Sequence, residues 1–318
     1  MTIAAVIGLG TMGAGIAAVM ARAGLQVRAF DVDQAAVARS RASLAVIAGV
    51  LDKLAMPAKG DATAVAFCQT LTETVAGADL VVENVPENLD LKRQVLTEID
   101  GLVSQSCVIA SDTSGIPITK LQETLSAPER VIGMHWSNPP HIIPMIEVVA
   151  GAQTSAATTR WMAETIRGLN LIPVIVKRDV PGFVENRVLY AIMREALDLV
   201  EDGVIEPEDL DTCVSWGIGY KLAIVGPMAL LDMAGLDIYQ SVGSYLNGAL
   251  STRSDVSPYV TRRTEDGQLG LKTGKGIFGY EEGGIDALRA KRAERFIAVR
   301  RALEREDQDR KDDGPKSA

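Results

Sequence analysis

Aromatic residues make up 4% of the 318-residue sequence, and it holds two histidines and three cysteines. With aromatics scarce, Ala, Val, Leu, Ile and Gly must supply the core. Cys68, Cys107 and Cys213 are scattered and odd in number, which excludes a complete disulfide framework and points to free thiols in a reducing cytoplasm. No Cys/His spacing suggests a metal site, so none is expected. Basic residues are outnumbered, and the net charge of -9 argues against non-specific binding to nucleic acid or to anionic membranes. No apolar run is long enough to span a bilayer, and the opening MTIAAVIGLG runs straight into a strand without the pattern of a signal peptide. No internal repeat is visible. What is present is a chain 47% hydrophobic and 23% charged, long enough to form two domains rather than one.

The first stretch, IAAVI at 3–7, reads as a buried strand. GLGTMG follows, with Gly8, Gly10, Thr11, Met12 and Gly13, and then an Ala-rich helix to about Gly24. A second strand, Gln26 to Phe30, ends at Asp31. A lone GxGxxG is weak evidence. Here it follows a strand, opens a helix and has an acidic residue about 20 residues on. In that context Gly8 permits the tight turn, Gly10 lets a pyrophosphate approach the backbone, and Gly13 lets helix and strand pack closely. The helix N-terminus offers N–H donors and a positive dipole to the phosphates. Asp31 is suited to accept hydrogen bonds from ribose hydroxyls and to repel a 2′-phosphate. No Arg follows it, so the cofactor expected is NAD rather than NADP.

Residues 34–56 read as one helix with a short extension to Pro57. Leu80 to Glu83 is a buried strand, followed by the loop ENVPEN and a helix over 89–99. Cys107 to Ala110 is the next strand and ends in SDTSG. Ligands in open α/β sheets sit beyond the carboxyl ends of the strands, which points to residues 83–88, 111–115 and 135. Ser114 suits a hydrogen bond to a substrate oxygen. Equally, Thr113 or Ser114 suits the start of a helix near Pro117.

Both histidines lie in HWSNPPHIIPMIE, from His135 to Glu147. Apolar runs on either side, Val131 to Met134 and Met145 to Val149, read as strands, and the prolines between them make a rigid non-helical connection. Strands joined this way fold back and bring Glu147 beside His135. A carboxylate behind an imidazole fixes its tautomer and stabilises the imidazolium, which is the equipment of a general base for alcohol oxidation. The residues alone also allow a structural histidine with an exposed glutamate. His141 is expected behind the site or against the substrate. Trp136 and the corner Asn138-Pro139-Pro140-His141 read as a flat aromatic face and a rigid wall for a compact ligand.

A helix over 155–169 and a strand over 173–177 complete the α/β pattern, and Pro181-Gly182 ends it. The expected organisation is an α/β Rossmann-type NAD-binding domain over 1–178 and an all-α C-terminal domain over 179–305. A disordered tail is expected over 306–318. In the second domain a Met/Leu-rich stretch reads as core or as dimer interface.

The chain resembles the 3-hydroxyacyl-CoA dehydrogenases over roughly residues 3–280, through VIGLGTMG, ADLVVENVPEN, SDTSG, GMHWSNPP with IEVV, DVPGFVENR and LKTGKGIFGY. The resemblance implies that His135 is the catalytic base, Glu147 its orienting partner, Ser114 a substrate contact and Asn186 a ligand of the substrate oxygen. It places Asp31, Glu87, Lys92, Asn138 and Lys272 against NAD. It also implies a helical second domain that closes on the first and forms a homodimer. Departures are SDTSG for the common SNTSS, HWSNPPHIIP for HFFNPVP, and a lysine-poor RASLAVIAGVLDKLAMPAKG where the CoA enzymes carry several lysines. NPP occurs in relatives acting on small polar acids. Longer strings, such as MHWSNPPHIIPMIEV, resemble a branch acting on a formyl-pyridine carboxylate in vitamin B6 breakdown. The substrate expected is therefore a small hydroxy- or formyl-carboxylate. An acyl-CoA substrate is the alternative, and a non-catalytic, crystallin-like structural role the remote one. Arg187 or Lys221 would supply the cation that a carboxylate needs.

Overall fold

The computed structural model describes residues 1–281 and 283–312, and side chains as far as residue 305. The strands are β1 Ile3–Ile7, β2 Gln26–Phe30, β3 Val65–Phe67, β4 Leu80–Glu83, β5 Val108–Ser111, β6 Val131–Trp136, β7 Met145–Val149 and β8 Ile172–Val176. The helices around them are α1 Gly13–Arg22, α2 Gln34–Lys53, α3 Leu71–Val75, α4 Leu89–Leu102, α5 Ile118–Gln122 and α6 Ala156–Gly168. The chain divides into two compact units, Met1–Arg187 and Val188–Ala318.

The first unit is a Rossmann-type domain built on an eight-stranded sheet in the order β3-β2-β1-β4-β5-β6-β7-β8. β7 runs antiparallel to β6, and every other pairing is parallel. Strands covered on both faces read as continuous apolar runs, and β4, β5 and β6 are buried at every position. Burying each Val, Leu or Ile there is worth roughly 1.5–3 kcal/mol. α1 buries all its residues except Arg22, because Gly13, Ala14, Gly15, Ala17 and Ala18 let it lie close to its neighbours. The chain leaves β1 for β2 on one side and reaches β4 on the other, so a crevice opens at the carboxyl ends of β1 and β4.

β3 is a departure from the sequence reading. Its three residues VAF are half exposed or exposed, too short and too weakly apolar to stand out beside the end of α2.

α7, Glu185–Glu201, begins in the first unit and runs into the second. α8 Pro207–Cys213, a π-helical turn Val214–Gly219, α9 Tyr220–Ile224, α10 Pro227–Ala234, α11 Leu236–Leu246, α12 Pro258–Glu265 and α13 Gly284–Asp312 follow, so the C-terminal unit is helical. Helix α13 continues to Asp312, past the point where a disordered tail was expected to begin, and residues 313–318 of that tail lie outside the described residues. Among the described residues no single helix is long and apolar enough to cross a membrane.

Candidate active site

The β1–α1 turn builds the nucleotide cradle. Gly8 has φ +99°, and a Cβ there would come within 2.4 Å of the Asn84 carbonyl oxygen. A Cβ on Gly13 would lie 2.2 Å from the Gly8 oxygen, whereas one on Gly10 would meet no protein atom within 4 Å. Gly8 and Gly13 are thus required by the fold, and Gly10 faces open space. Met12 is the N-cap of α1 and gives no side-chain cap, so the first N–H groups of the helix keep their capacity for an anion. The turn opens on a cavity of about 910 Å³ whose walls include Thr11, Met12, Asp31, Thr70 and Pro86. Asp31 is held by two backbone bonds, Leu9 N–H to Oδ2 at 2.6 Å and Asp33 N–H to Oδ1 at 2.8 Å. Each oxygen keeps capacity for a ribose hydroxyl. Arg39 also lines this cavity, but its guanidinium pairs with Asp33 at 3.4 Å. Helix end, open glycine and anchored carboxylate together fit NAD.

Next to the cradle lies a buried polar cluster. Lys92 Nζ is 2.9 Å from Glu83 Oε1, 3.0 Å from the Val85 oxygen and 3.6 Å from Glu87 Oε2. Glu83 also accepts from the Val85 N–H at 2.7 Å and from the Ser111 hydroxyl at 2.6 Å. Glu87 gathers the turn after β5 by accepting from Thr113 Oγ1 at 2.7 Å and from the Ser114 and Gly115 N–H groups at 3.1 Å each. Of the two residues weighed as a local cap, Thr113 does the local work, accepting the Ile116 N–H at 3.0 Å. Helix α5 itself has Pro117 as its N-cap and no side-chain cap bond. Ser114 is exposed, and its carbonyl accepts from Asn186 Nδ2 at 2.6 Å.

The β6–β7 ladder places His135 directly opposite Glu147. Nδ1 of His135 lies 2.8 Å from Glu147 Oε2. The other Glu147 oxygen accepts the Val184 and Glu185 N–H groups at 3.0 and 3.1 Å, where α7 begins. Burial works against a charged Glu147, but the His135 bond and these two N–H groups outweigh it and hold its carboxyl below the usual range. Burial also disfavours a charged His135. The Glu147 bond and the charges of Asp112, Glu147 and Glu185 outweigh that and raise its pKa. Phe183, fully buried, sets its ring 5.8 Å from the imidazole at a 60° tilt.

Some residues of this site escaped the sequence reading. Asp112 accepts the Trp136 N–H at 2.8 Å, and Glu185 accepts the Ser137 hydroxyl. Both, with Phe183, lie inside SDTSG and DVPGFVENR, and that was the available signal. One ligand atom each from His135, Glu147 and Glu185 falls within 4.8 Å of the others. Hydrogen bonds already account for Nδ1 of His135 and for both Glu147 oxygens.

One expectation is corrected. Trp136 is 2% exposed and offers no open aromatic face, because it lies within β6 rather than in the connection after it. His141 is half-buried with Pro140 against Gly15 of α1, and burial lowers its pKa to about 4. Asn138 is exposed in the β6–β7 connection, and Lys272 is exposed on the second unit.

The 3-hydroxyacyl-CoA dehydrogenase NAD-binding domain model matches residues 3–180, and the C-terminal domain model of the same family matches residues 182–280. The chain is 60% identical over 302 residues to a 5-formyl-3-hydroxy-2-methylpyridine 4-carboxylate 5-dehydrogenase of Mesorhizobium japonicum, covering 94% of this chain and 97% of that one. A crystal structure of an enzyme of that name, an NAD+-dependent dismutase, superposes with a TM-score of 0.92 at 59% identity, covering 96% of this chain and 99% of the other. A probable 3-hydroxybutyryl-CoA dehydrogenase of Bacillus subtilis is 34% identical over 282 residues, covering 87% of this chain and 96% of that relative.

Proposed function

The chain belongs to the 3-hydroxyacyl-CoA dehydrogenase family, and from that premise we propose that it oxidises 5-formyl-3-hydroxy-2-methylpyridine-4-carboxylate, a small aromatic formyl-carboxylate, with NAD. The observation that carries the chemistry is the 2.8 Å bond between His135 Nδ1 and Glu147. An ionised carboxylate accepts only, so Nδ1 carries the proton and Nε2 keeps its lone pair. Bound NAD+ supplies the hydride acceptor. The aldehyde reacts as its hydrate, a gem-diol: one hydroxyl proton passes to His135 Nε2, the carbon-bound hydrogen leaves as hydride, and the carboxylic acid remains. Glu147 stabilises the resulting imidazolium. In the reverse sense, His135 returns a proton while a second aldehyde takes up hydride and becomes the alcohol, the balance a dismutase requires.

Ser114 and Asn186 are assigned to hold the reacting oxygen. One Asn186 N–H is committed to the Ser114 carbonyl, which leaves the second for substrate. Glu87, Asn138 and Lys272 are assigned to NAD with Asp31. Lys92 was expected to contact NAD, but it is 1% exposed with its ammonium enclosed by three oxygens, so its assigned part is to hold the loop on which Glu87 stands. Arg187, exposed next to Asn186, is a cation for the substrate carboxylate. The free thiols support a reducing cytoplasm. The helical unit supports a homodimer: α8, α9, α10 and α11 have no buried residue, and Trp216, Met228, Met233 and Tyr245 are each more than two-thirds exposed.

The test is NAD-dependent consumption of the formyl-pyridine carboxylate, read as the acid and alcohol formed, against NAD-dependent oxidation of 3-hydroxybutyryl-CoA. Higher kcat/KM for the pyridine is expected. A CoA thioester turned over far better would restore the acyl-CoA reading.

A further inference from the structure

Three carboxylates face the His135 ring: Glu147, Asp112 and Glu185. Glu147 binds Nδ1, and Glu185 holds the Ser137 hydroxyl. Asp112 has no part in the chemistry so far. It follows the last residue of β5 and is 7% exposed. Its own N–H donates to the Glu83 oxygen at 2.8 Å, and its Oδ1 accepts the Trp136 N–H at 2.8 Å. That bond ties the end of β5 to the residue after His135. The charged groups facing Asp112 are His135, Lys92 and Glu83. Lys92 is already engaged by Glu83 at 2.9 Å. Among the described residues Asp112 forms no ion pair. A buried carboxylate in this position costs free energy unless a cation is near, and the imidazolium formed when His135 takes a proton is such a cation.

We propose that Asp112 is a positioning residue for the base: it anchors the end of β6 through the Trp136 N–H, and its negative charge sets the pH range over which His135 accepts the substrate proton. The proposal rests on His135 being that base. Two further observations agree with it. Burial pushes the Asp112 carboxyl up to about 7, against the Trp136 N–H and the His135 and Lys92 charges. The Asp112 charge in turn works to raise His135. Near neutral pH the two groups therefore titrate as a coupled pair, and the working form is ionised Asp112 beside neutral His135.

Asp112→Asn keeps an oxygen for the Trp136 N–H and removes the charge. Asp112→Ser, smaller and still an acceptor, is the second variant should the first not fold. With two histidines in the chain, the imidazole signals of the full-length protein are assigned by NMR using His141→Ala. The expected result is a His135 titration midpoint lower by about one pH unit, with His141 unmoved. The acid limb of kcat/KM in the oxidation direction should fall with it. A His135 midpoint that stays in place, in whichever variant folds, overturns the proposal. A midpoint that moves while His135→Ala keeps full turnover overturns His135 as the base instead, and the two failures are told apart by that variant.

Discussion

Between the two imidazoles, environment and not identity decides the chemistry. His135 sits among carboxylates, which raise its pKa against burial, whereas burial alone lowers His141 to about 4. Across the neutral range His141 is therefore uncharged, and among the described residues its buried Nδ1 has no hydrogen-bond partner. His135→Ala is expected to lower kcat by roughly 100- to 10,000-fold, with His141→Ala close to wild type. Steady-state rates of the two variants check this, and comparable losses would remove His135 from its assigned role. Since His135 must be neutral to accept a proton, oxidation should fail as pH drops through its raised pKa. The imidazoles were legible from sequence because there are two, one short stretch apart. Asp112 was not, because its burial comes from β4, β5 and β6 ending together, and no local pattern records that convergence.

Legibility among the elements followed how much of each lies in continuous apolar backbone. The β6–β7 hairpin could be read from two apolar runs around a proline-rich connection, and the same pattern misled about Trp136, which belongs to the strand. The β1–α1 turn was readable because its three glycines do different work. That difference makes a sharp expectation. Gly10→Ala adds a methyl that meets no protein atom within 4 Å, so the melting temperature should hold, while NADH affinity falls because the methyl occupies space meant for the pyrophosphate. Gly13→Ala places the same methyl 2.2 Å from a backbone oxygen and should reduce stability and affinity together. Thermal melts alongside NADH titration separate the two. Loss of fold in Gly10→Ala would show that this glycine serves packing and not the cofactor.

For the molecule as a whole, the buried core lies almost wholly in the first unit, whose edge strand β8 is exposed at three of its five positions, whereas α8 to α11 of the second leave every residue at least partly exposed. The proposed homodimer would account for that difference. Paired substitutions such as Trp216→Asp with Met228→Asp are expected to shift the protein from dimer to monomer, read as a halving of mass in light scattering. Wild-type protein that is monomeric at micromolar concentration would count against the dimer. The Met/Leu-rich stretch offered core or interface as its two explanations, and the proposed interface rests on which of its side chains stay uncovered.

The pair assigned to proton handling, His135 and Glu147, stands on neighbouring strands, with Glu147 also latched by the first N–H groups of α7. The groups assigned to the substrate oxygen and carboxylate, Ser114, Asn186 and Arg187, stand instead on the turn after β5 and at the start of α7. Only the contact to the substrate carboxylate is thus separable from the reaction for engineering. Recasting Arg187 should retarget the catalyst to other small acids, while Ser114, Asn186 and the Val184 and Glu185 N–H groups that hold Glu147 have to stay for the hydride-and-proton chemistry to carry over.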